Sequence, residues 1–485
     1  MKDFNSYLDE SGEIGYVRNF AGSIVYVEGL PSVKPSEVVL FENGFFGEVN
    51  ALNHNDAEIL LFNSQQMPIG TRAVKINEQL TIPVGNEYLG KTINPLGKPF
   101  GLPFQIPTVF RYVNAEPLGI PFRHEVTEPL ETGVSIVDML VPIGRGQRQL
   151  ILGDRKTGKT TFLKQTVVSQ SKRGAICIYA AIGKKQSEIK EIEEYFKSVG
   201  ILDNVIIVAS RPEDASGLVY LTPYSAMAIA EHFRDAGKDV LIVLDDLFMH
   251  AKFCREIALL AKRFPGRNSY PVNIFYLHSK LLERAGNFLI KDKVTSITAL
   301  PVIETSQGDI TGYIQTNLIS MTDGHVFFDS DLFSKGRRPA INPFLSVTRV
   351  GHQTQTKLKR EISRELISFL TISEKLSSYT HFGAELNIAT KQILEMRERI
   401  VVFMDQLQSD SIPSNIQIII FLLIWTNIWT TKERDVQKKD SQKLVEAYEK
   451  NTEFKKTIDA MIDKAGSFNA LIKDVRINRA KIIIF

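Results

Sequence analysis

Eight consecutive residues carry the clearest chemistry in the chain: Gly153-Asp154-Arg155-Lys156-Thr157-Gly158-Lys159-Thr160, a GxxxxGK[ST] spacing. Glycines let the backbone curl until its N–H groups face a common point, and a helix starting there adds partial positive charge. Such a cradle suits phosphate oxygens. Lys159 is expected to meet the β and γ phosphates of bound ATP or ADP, and Thr160 to offer its hydroxyl to Mg²⁺. An ordinary strand-to-helix turn that happens to carry Gly and Lys is the bland alternative, and the full spacing argues against it. Downstream, Asp239-Val240-Leu241-Ile242-Val243-Leu244-Asp245-Asp246 is an apolar run ending in carboxylates. Asp245, at the end of a buried strand, is the expected metal-side residue, holding the water shell of the magnesium. Buried strands that end in Asp are common, so this run gains its weight from the phosphate loop upstream.

The elements around these residues are of the kind such a loop needs. Gln149 to Leu152 reads as an apolar strand directly before the loop, and a helical pattern starts at Lys159. Strand-like runs then alternate with amphipathic helices: AICIYAAIG, SEIKEIEEYFKSVG, NVIIVAS, a helix around Ala226 to Ala236, and DVLIVLDD. That alternation predicts a mainly parallel sheet with helices on both faces. Before it, short alternating apolar stretches from about Gly12 to Ile76, separated by turn residues at Gly29, Asn43-Gly44 and Asn53-His54-Asn55, predict a small antiparallel β-barrel. Beyond about Gln355 the strands give way to long helical patterns, so a C-terminal helical bundle is expected. The predicted divisions are residues 1–77, 78–355 and 356–485.

A chain of 485 residues with 44% hydrophobic content has enough material for more than one core. Its net charge of +3 is too small to argue for a nucleic-acid or membrane-surface protein, and no nucleic-acid partner is expected. Cys177 and Cys254 stand in no disulfide-like or metal-ligand pattern, which suits small hydrophobic roles in a reducing compartment. The N-terminus has no secretory or transit pattern, so a cytoplasmic location is expected. The apolar segment from Ile416 to Trp429 is too short for a membrane span of about 20 residues. It reads as a buried helix or an interface, started by Pro413 and Ser414.

Three further stretches carry a family resemblance. Pro142-Ile143-Gly144-Arg145-Gly146-Gln147-Arg148 running into GDRKTGKT, then Phe275-Tyr276-Leu277-His278-Ser279-Lys280-Leu281-Leu282-Glu283-Arg284, then Ser346-Val347-Thr348-Arg349-Val350-Gly351 after KGRRPAIN, together resemble the alpha subunit of F1-type ATP synthases. The likeness runs from about Gly15 to the C-terminal helices. It implies a multidomain fold with an N-terminal antiparallel β-barrel crown, a central α/β RecA-like P-loop domain and a C-terminal α-helical domain. It also implies beta-type catalytic subunits alternating with this chain in an alpha3beta3 ring, a gamma-type central stalk, and peripheral association with the inner face of the cell membrane. By the same resemblance, Arg349 is the arginine finger that reaches a neighbouring beta site, and Gln406 and Gln408 are adenine-side glutamines. Arg155 and Arg338 are further nucleotide neighbours.

The resemblance also assigns an alpha rather than a catalytic role. In the catalytic subunits of such rings the strand after the P-loop helix ends in Gly-Glu, and the glutamate polarises the attacking water. Here the corresponding residues are Gly183-Lys184. A protonated lysine is neither a base nor an acceptor for water's proton. The subunit is therefore expected to bind ATP and hydrolyse it poorly. Lys156 and Lys184 depart from the alpha pattern, which usually has Gln at both positions. The helical arm that begins most alpha chains is short here, which raises the expectation of a divergent hydrolytic motor without the usual peripheral stalk, with motor-specific accessory subunits and an extra contact at Ile416 to Trp429. The competing function is a self-sufficient hexameric translocase, either a secretion-type ATPase or an RNA helicase. Either would need a catalytic glutamate in every subunit, and Lys184 argues against both.

Overall fold

The computed structural model describes residues 3–63, 65, 67–380, 388–408, 410–430 and 433–482. The chain divides into two compact units: Met1–His124 with Gly174–Thr305 and Asp309–Thr322, and Glu125–Arg173 with Ser306–Gly308 and Asp323–Phe485.

The first unit opens with a closed antiparallel barrel of six strands, Gly15–Ala21, Ile24–Glu28, Glu37–Phe41, Phe46–Leu52, Ala57–Leu61 and Arg72–Gln79. Side chains alternate across each strand, so one set points inward. Val17, Val25, Val27, Val39, Phe41, Val49, Ile59, Leu61 and Ala73 form the interior core, all essentially sealed from solvent. Irregular register at Val17/Asn19, Glu37/Val39 and Val49/Ala51 bends the strands enough to close the ring. Pairing of Gly15 with Ala73 joins the first strand to the last.

The same unit contains a parallel sheet in which Lys293–Glu304, Val240–Asp245, Ile176–Ala181, Val205–Ala209 and Thr92–Ile93 lie side by side. Gly286–Ile290 adds an antiparallel strand beside Lys293–Glu304. Every residue of Ile176–Ala181, Val205–Ala209 and Val240–Asp245 is buried. Sheets covered on both faces require unbroken apolar runs, and this is why these strands read that way in sequence. Helix Ser216–Asp235 packs on Ile176–Ala181 and Val240–Asp245, and helix Gln186–Ser198 packs on Val205–Ala209.

In the second unit, strand Gln149–Gly153 pairs in parallel with Gly324–Phe328, which also pairs antiparallel with Val347–Thr348. Helix Lys159–Lys172 follows the first of these strands. The C-terminal region is helical: Lys357–Thr380, Ile388–Met404, Ser414–Trp425, Arg434–Lys450, Thr452–Lys464 and Phe468–Ile477 are its main elements. Helix Ser414–Trp425 is apolar on all sides, as a helix surrounded by others must be. It contacts Ser135–Leu140, Ile388–Met404, Arg434–Lys450, Thr452–Lys464 and Phe468–Ile477. Ile416 and Ile418 through Ile424 are buried, and Trp425 closes the helix end against Phe369 and Phe468. The segment is core, and the extra contact expected of it has no exposed apolar face to use. Among the described residues, no helix is long and apolar enough to cross a membrane.

Candidate functional site

The phosphate loop belongs to the second unit. Gly153 ends its strand at φ 152°, where a Cβ would lie 2.4 Å from the Phe328 carbonyl oxygen, so the position admits no side chain. Gly158 at φ 98° turns the chain into helix Lys159–Lys172. Lys156, at φ 61°, holds a left-handed conformation that a side chain makes costly. The Lys159 ammonium donates to the carbonyl oxygens of Gly153 at 2.7 Å and Asp154 at 2.6 Å, which holds its charge against the loop. Thr157 Oγ1 donates to the Asp154 carbonyl at 2.7 Å and braces the same turn. Arg155, Lys156 and Thr160 are exposed.

Asp154 has a different part. Its carboxylate accepts from the Gly308 N–H at 2.9 Å and from Ser330 Oγ at 2.6 Å, tying the loop to its supports. A carboxylate so placed acts on the loop's shape, because its charge would repel phosphate.

The two glutamines of this unit also separate. Gln406 is buried; its Nε2 donates to the carbonyls of Gly133 at 3.0 Å and Asp410 at 2.7 Å, while its Oε1 accepts from the Ser135 N–H at 2.6 Å. Both amide hydrogens are engaged, so Gln406 clamps residues 133–135. Gln408 presents the contrasting case: its Nε2 is buried without a hydrogen-bond partner among the described residues. A buried, unsatisfied donor is unfavourable, and a ligand acceptor would relieve it. Arg338 donates to the carbonyls of Phe333 and Arg337 and lies 3.5 Å over the Phe333 ring, which makes it a brace for its own turn.

Arg349 follows the short strand Val347–Thr348. Thr348 Oγ1 donates to the Pro142 carbonyl at 2.9 Å, and a Cβ on Gly351 would lie 1.7 Å from that oxygen, so the segment sits hard against Pro142. The Arg349 N–H donates to the Asp323 carbonyl at 2.9 Å, and Asp323 in turn grips Arg148 with both carboxylate oxygens. The backbone is fixed, yet the side chain is exposed and no carboxylate lies within ion-pair distance among the described residues.

The acidic strand end belongs to the first unit. Asp245 and Asp246 are both buried. Tyr179 Oη donates to Asp245 Oδ2 at 2.7 Å, and Lys184 Nζ lies 2.9 Å from Asp245 Oδ1 and 3.9 Å from Asp246 Oδ2. Asp246 also caps helix Leu247–Leu260 by accepting the Met249 N–H at 2.6 Å. Backbone contacts fix the lysine: the Ile182 N–H donates to the Asp245 carbonyl, the Gly183 N–H to Ser210 Oγ, and the Lys184 N–H to the Ser210 carbonyl. Burial opposes the Lys184 charge, but the carboxylates of Asp245 and Asp246 outweigh it and hold the ammonium above the ordinary lysine value. Burial pushes the Asp246 carboxyl up to about 6, with Lys184 working against that rise. Sequence reasoning did not find this cation–acid cluster. Its signal was the parallel register of Ala181 with Asp245, which places the turn after one strand at the end of the other.

The donor set decides how well a metal shell fits here. Both oxygens of Asp245 already accept donors, and the nearest charge is an ammonium, which repels a divalent cation. No group of three or more His, Cys, Asp or Glu side chains suited to a metal ion occurs among the described residues. The Asp245 carboxylate is thus engaged by Lys184 and Tyr179, whereas the glycine geometry of the loop and the unpaired Gln408 donor suit a nucleotide.

Residues 133–348 match the model for the nucleotide-binding domain of the ATP synthase alpha/beta family. The chain is 41% identical over 422 residues to the ATP synthase subunit alpha of Lactobacillus acidophilus, a match spanning 87% of this chain and 84% of that protein.

Proposed function

The chain belongs to the ATP synthase alpha/beta family as an alpha-type, nucleotide-binding subunit of an F1 rotary ATPase, and from that premise we propose how its residues serve the ring. The loop Gly153 to Thr160 holds the phosphates of ATP or ADP through its backbone N–H groups and Lys159. Gln408 meets the adenine edge, an assignment supported by its open Nε2, and Gln406 positions the residues around it. Of the two side chains expected to serve Mg²⁺, Thr160 is exposed at the helix start and Asp245 is taken by Lys184.

One observation carries the non-catalytic reading: the side chain at the end of the strand after the loop helix is a lysine paired with Asp245. Neither partner of that pair suits the activation of an attacking water, since the ammonium has no lone pair and the carboxylate is buried in an ion pair with it. Catalysis by the ring therefore falls to its neighbours, and Arg349 serves them. An arginine finger needs a rigid base and a solvent-facing guanidinium with no competing acid, and the surroundings of Arg349 support that role. Its partners are a beta-type catalytic subunit and a gamma-type stalk, and the assembly docks at the inner face of the cell membrane. Residues 1–77, 78–355 and 356–485 serve as crown, nucleotide domain and helical base.

Steady-state ATP hydrolysis by the purified full-length chain tests this. The expected rate is at background. Turnover of about 1 s⁻¹ or faster, within the ordinary enzyme range, would overturn it and favour the self-sufficient translocase.

A further inference from the structure

The first unit pairs the charges at its acidic strand end, but another of its buried carboxylates, Glu48, has only neutral partners. We propose that Glu48 and the tyrosines Tyr220, Tyr224 and Tyr276 form a second ligand site, a cavity of about 280 Å³ that takes a small alkylammonium ion. This cavity shares no residue with the phosphate loop.

Strand alternation sets the carboxylate on the outer wall of the barrel. Val49 belongs to the barrel interior, so its neighbour Glu48 points outward. An outward position on a barrel is ordinarily wet, but Leu60, paired with Glu48 across the strands, packs on Ile257 and Tyr220 and the wall there is covered. Glu48 is left 8% exposed. Asn114 Nδ2 donates to it at 3.1 Å, and the Ser36 hydroxyl also hydrogen-bonds it. Lys280, on the same cavity wall, is held by Glu116 at 2.5 Å, and Arg263, lining the adjoining cavity, is held by Glu58 at 3.0 Å. A buried carboxylate with neutral donors alone is unfavourable as an ion, and burial pushes Glu48 up to about 7. A cation in the cavity would offset that cost. An ammonium suits the rest of the lining: the amide oxygens of Asn50 and Gln79 and the tyrosine hydroxyl oxygens can accept its N–H groups, while tyrosine rings attract cations and give an alkyl chain apolar contact. The volume lies just under the roughly 300 Å³ at which drug-sized sites begin, so the ligand is compact.

The full-length chain is titrated by calorimetry with n-butylammonium chloride at about pH 8.5, where Glu48 is ionised and the amine, like a lysine, keeps its proton. Saturable binding is expected, with a Kd of about 1 mM or tighter. The neutral n-butanol, with the same alkyl chain, should bind at least about tenfold more weakly, and n-butylammonium should lose the same factor on Glu48→Gln, which keeps the shape and removes the charge. Absence of saturation up to about 10 mM amine overturns the proposal. Equal binding of the alcohol overturns it too, and this comparison stands even if the glutamine variant fails to fold. Amine binding that Glu48→Gln leaves unchanged overturns it as well. In a reconstituted ring the same Kd is expected; a cavity that accepts the amine only in the isolated chain is filled in the ring by a neighbour's lysine, and the free-ligand site is overturned.

Discussion

The second unit keeps its chemistry open, and the first closes its own off. Around the phosphate loop and Arg349 the backbone is rigid, but Lys156, Thr160 and Arg349 point to solvent, and Gln408 keeps an unmatched donor. At the end of strand Val240–Asp245 every charge has a partner within the fold: Lys184 with Asp245 and Asp246, Tyr179 with Asp245, and Asp246 with the next helix. Open side chains are available to ligands and neighbours and contribute little to the fold. Closed ones do the reverse, so the same type of substitution should cost function in one region and stability in the other.

The sharpest expected effect lies on the open side. In a reconstituted ring, Arg349→Ala should lower ATP hydrolysis by roughly 10³ to 10⁵-fold, the range an arginine finger supplies. Unfolding of the isolated variant by urea should match the wild type within about 0.5 kcal/mol, because an exposed side chain without an ion pair is removed. Retained hydrolysis would break the comparison at its open end.

The closed side should answer in the opposite way. Lys184→Ala leaves two buried carboxylates without their cation, and breaking a buried pair from one side costs about 3–5 kcal/mol. Urea unfolding of the isolated chain reads this directly. A loss below about 1 kcal/mol, the range of a solvent-screened surface pair, would mean that the strand end is open after all.

Sequence reading recovered what is written contiguously. The eight-residue loop, the barrel strands with their alternation, the apolar parallel strands and the C-terminal helices all follow from short-range periodicity, and the structure has them. The Lys184–Asp245 pair escaped because it joins positions 61 residues apart (245 − 184), and only strand register brings them together. The same reason hid the role of Gln406, whose partners at Gly133 and Ser135 lie more than 270 residues earlier. Neighbours in sequence gave no sign of which of the two glutamines, Gln406 or Gln408, keeps an open donor. The apolar run at Ile416 was legible as a helix, but its complete enclosure depends on five other helices converging on it. The division into two units, with Glu125–Arg173 grouped apart from Gly174–Thr305, likewise cuts across any boundary that composition suggests.

The smallest expected effect tests closure by protons. His250 and His278 are buried side by side with ring nitrogens 3.0 Å apart, and His250 also reaches the Tyr220 carbonyl at 3.1 Å. Burial drives His250 down to about 4, and burial together with His250 lowers His278 further. In the unfolded chain each imidazole binds its proton near pH 6.5, while the folded pair stays neutral. Stability from these residues is therefore fully present above pH 6.5 and is lost as pH falls from there toward 4. Between pH 7 and pH 5, His250 alone should lose about 2 kcal/mol. Glu48, Asp138 and Asp246 work in the other direction: burial raises them to about 7, 6 and 6, so the folded state gains protons over the same range. The wild-type curve sums these opposing slopes, and the contrast with His250→Gln isolates the histidine. Urea unfolding at both pH values should show the variant losing about 2 kcal/mol less than the wild type on acidification. Equal losses would mean that the imidazole takes up its proton in place, and that this part of the first unit admits water as readily as the phosphate loop does.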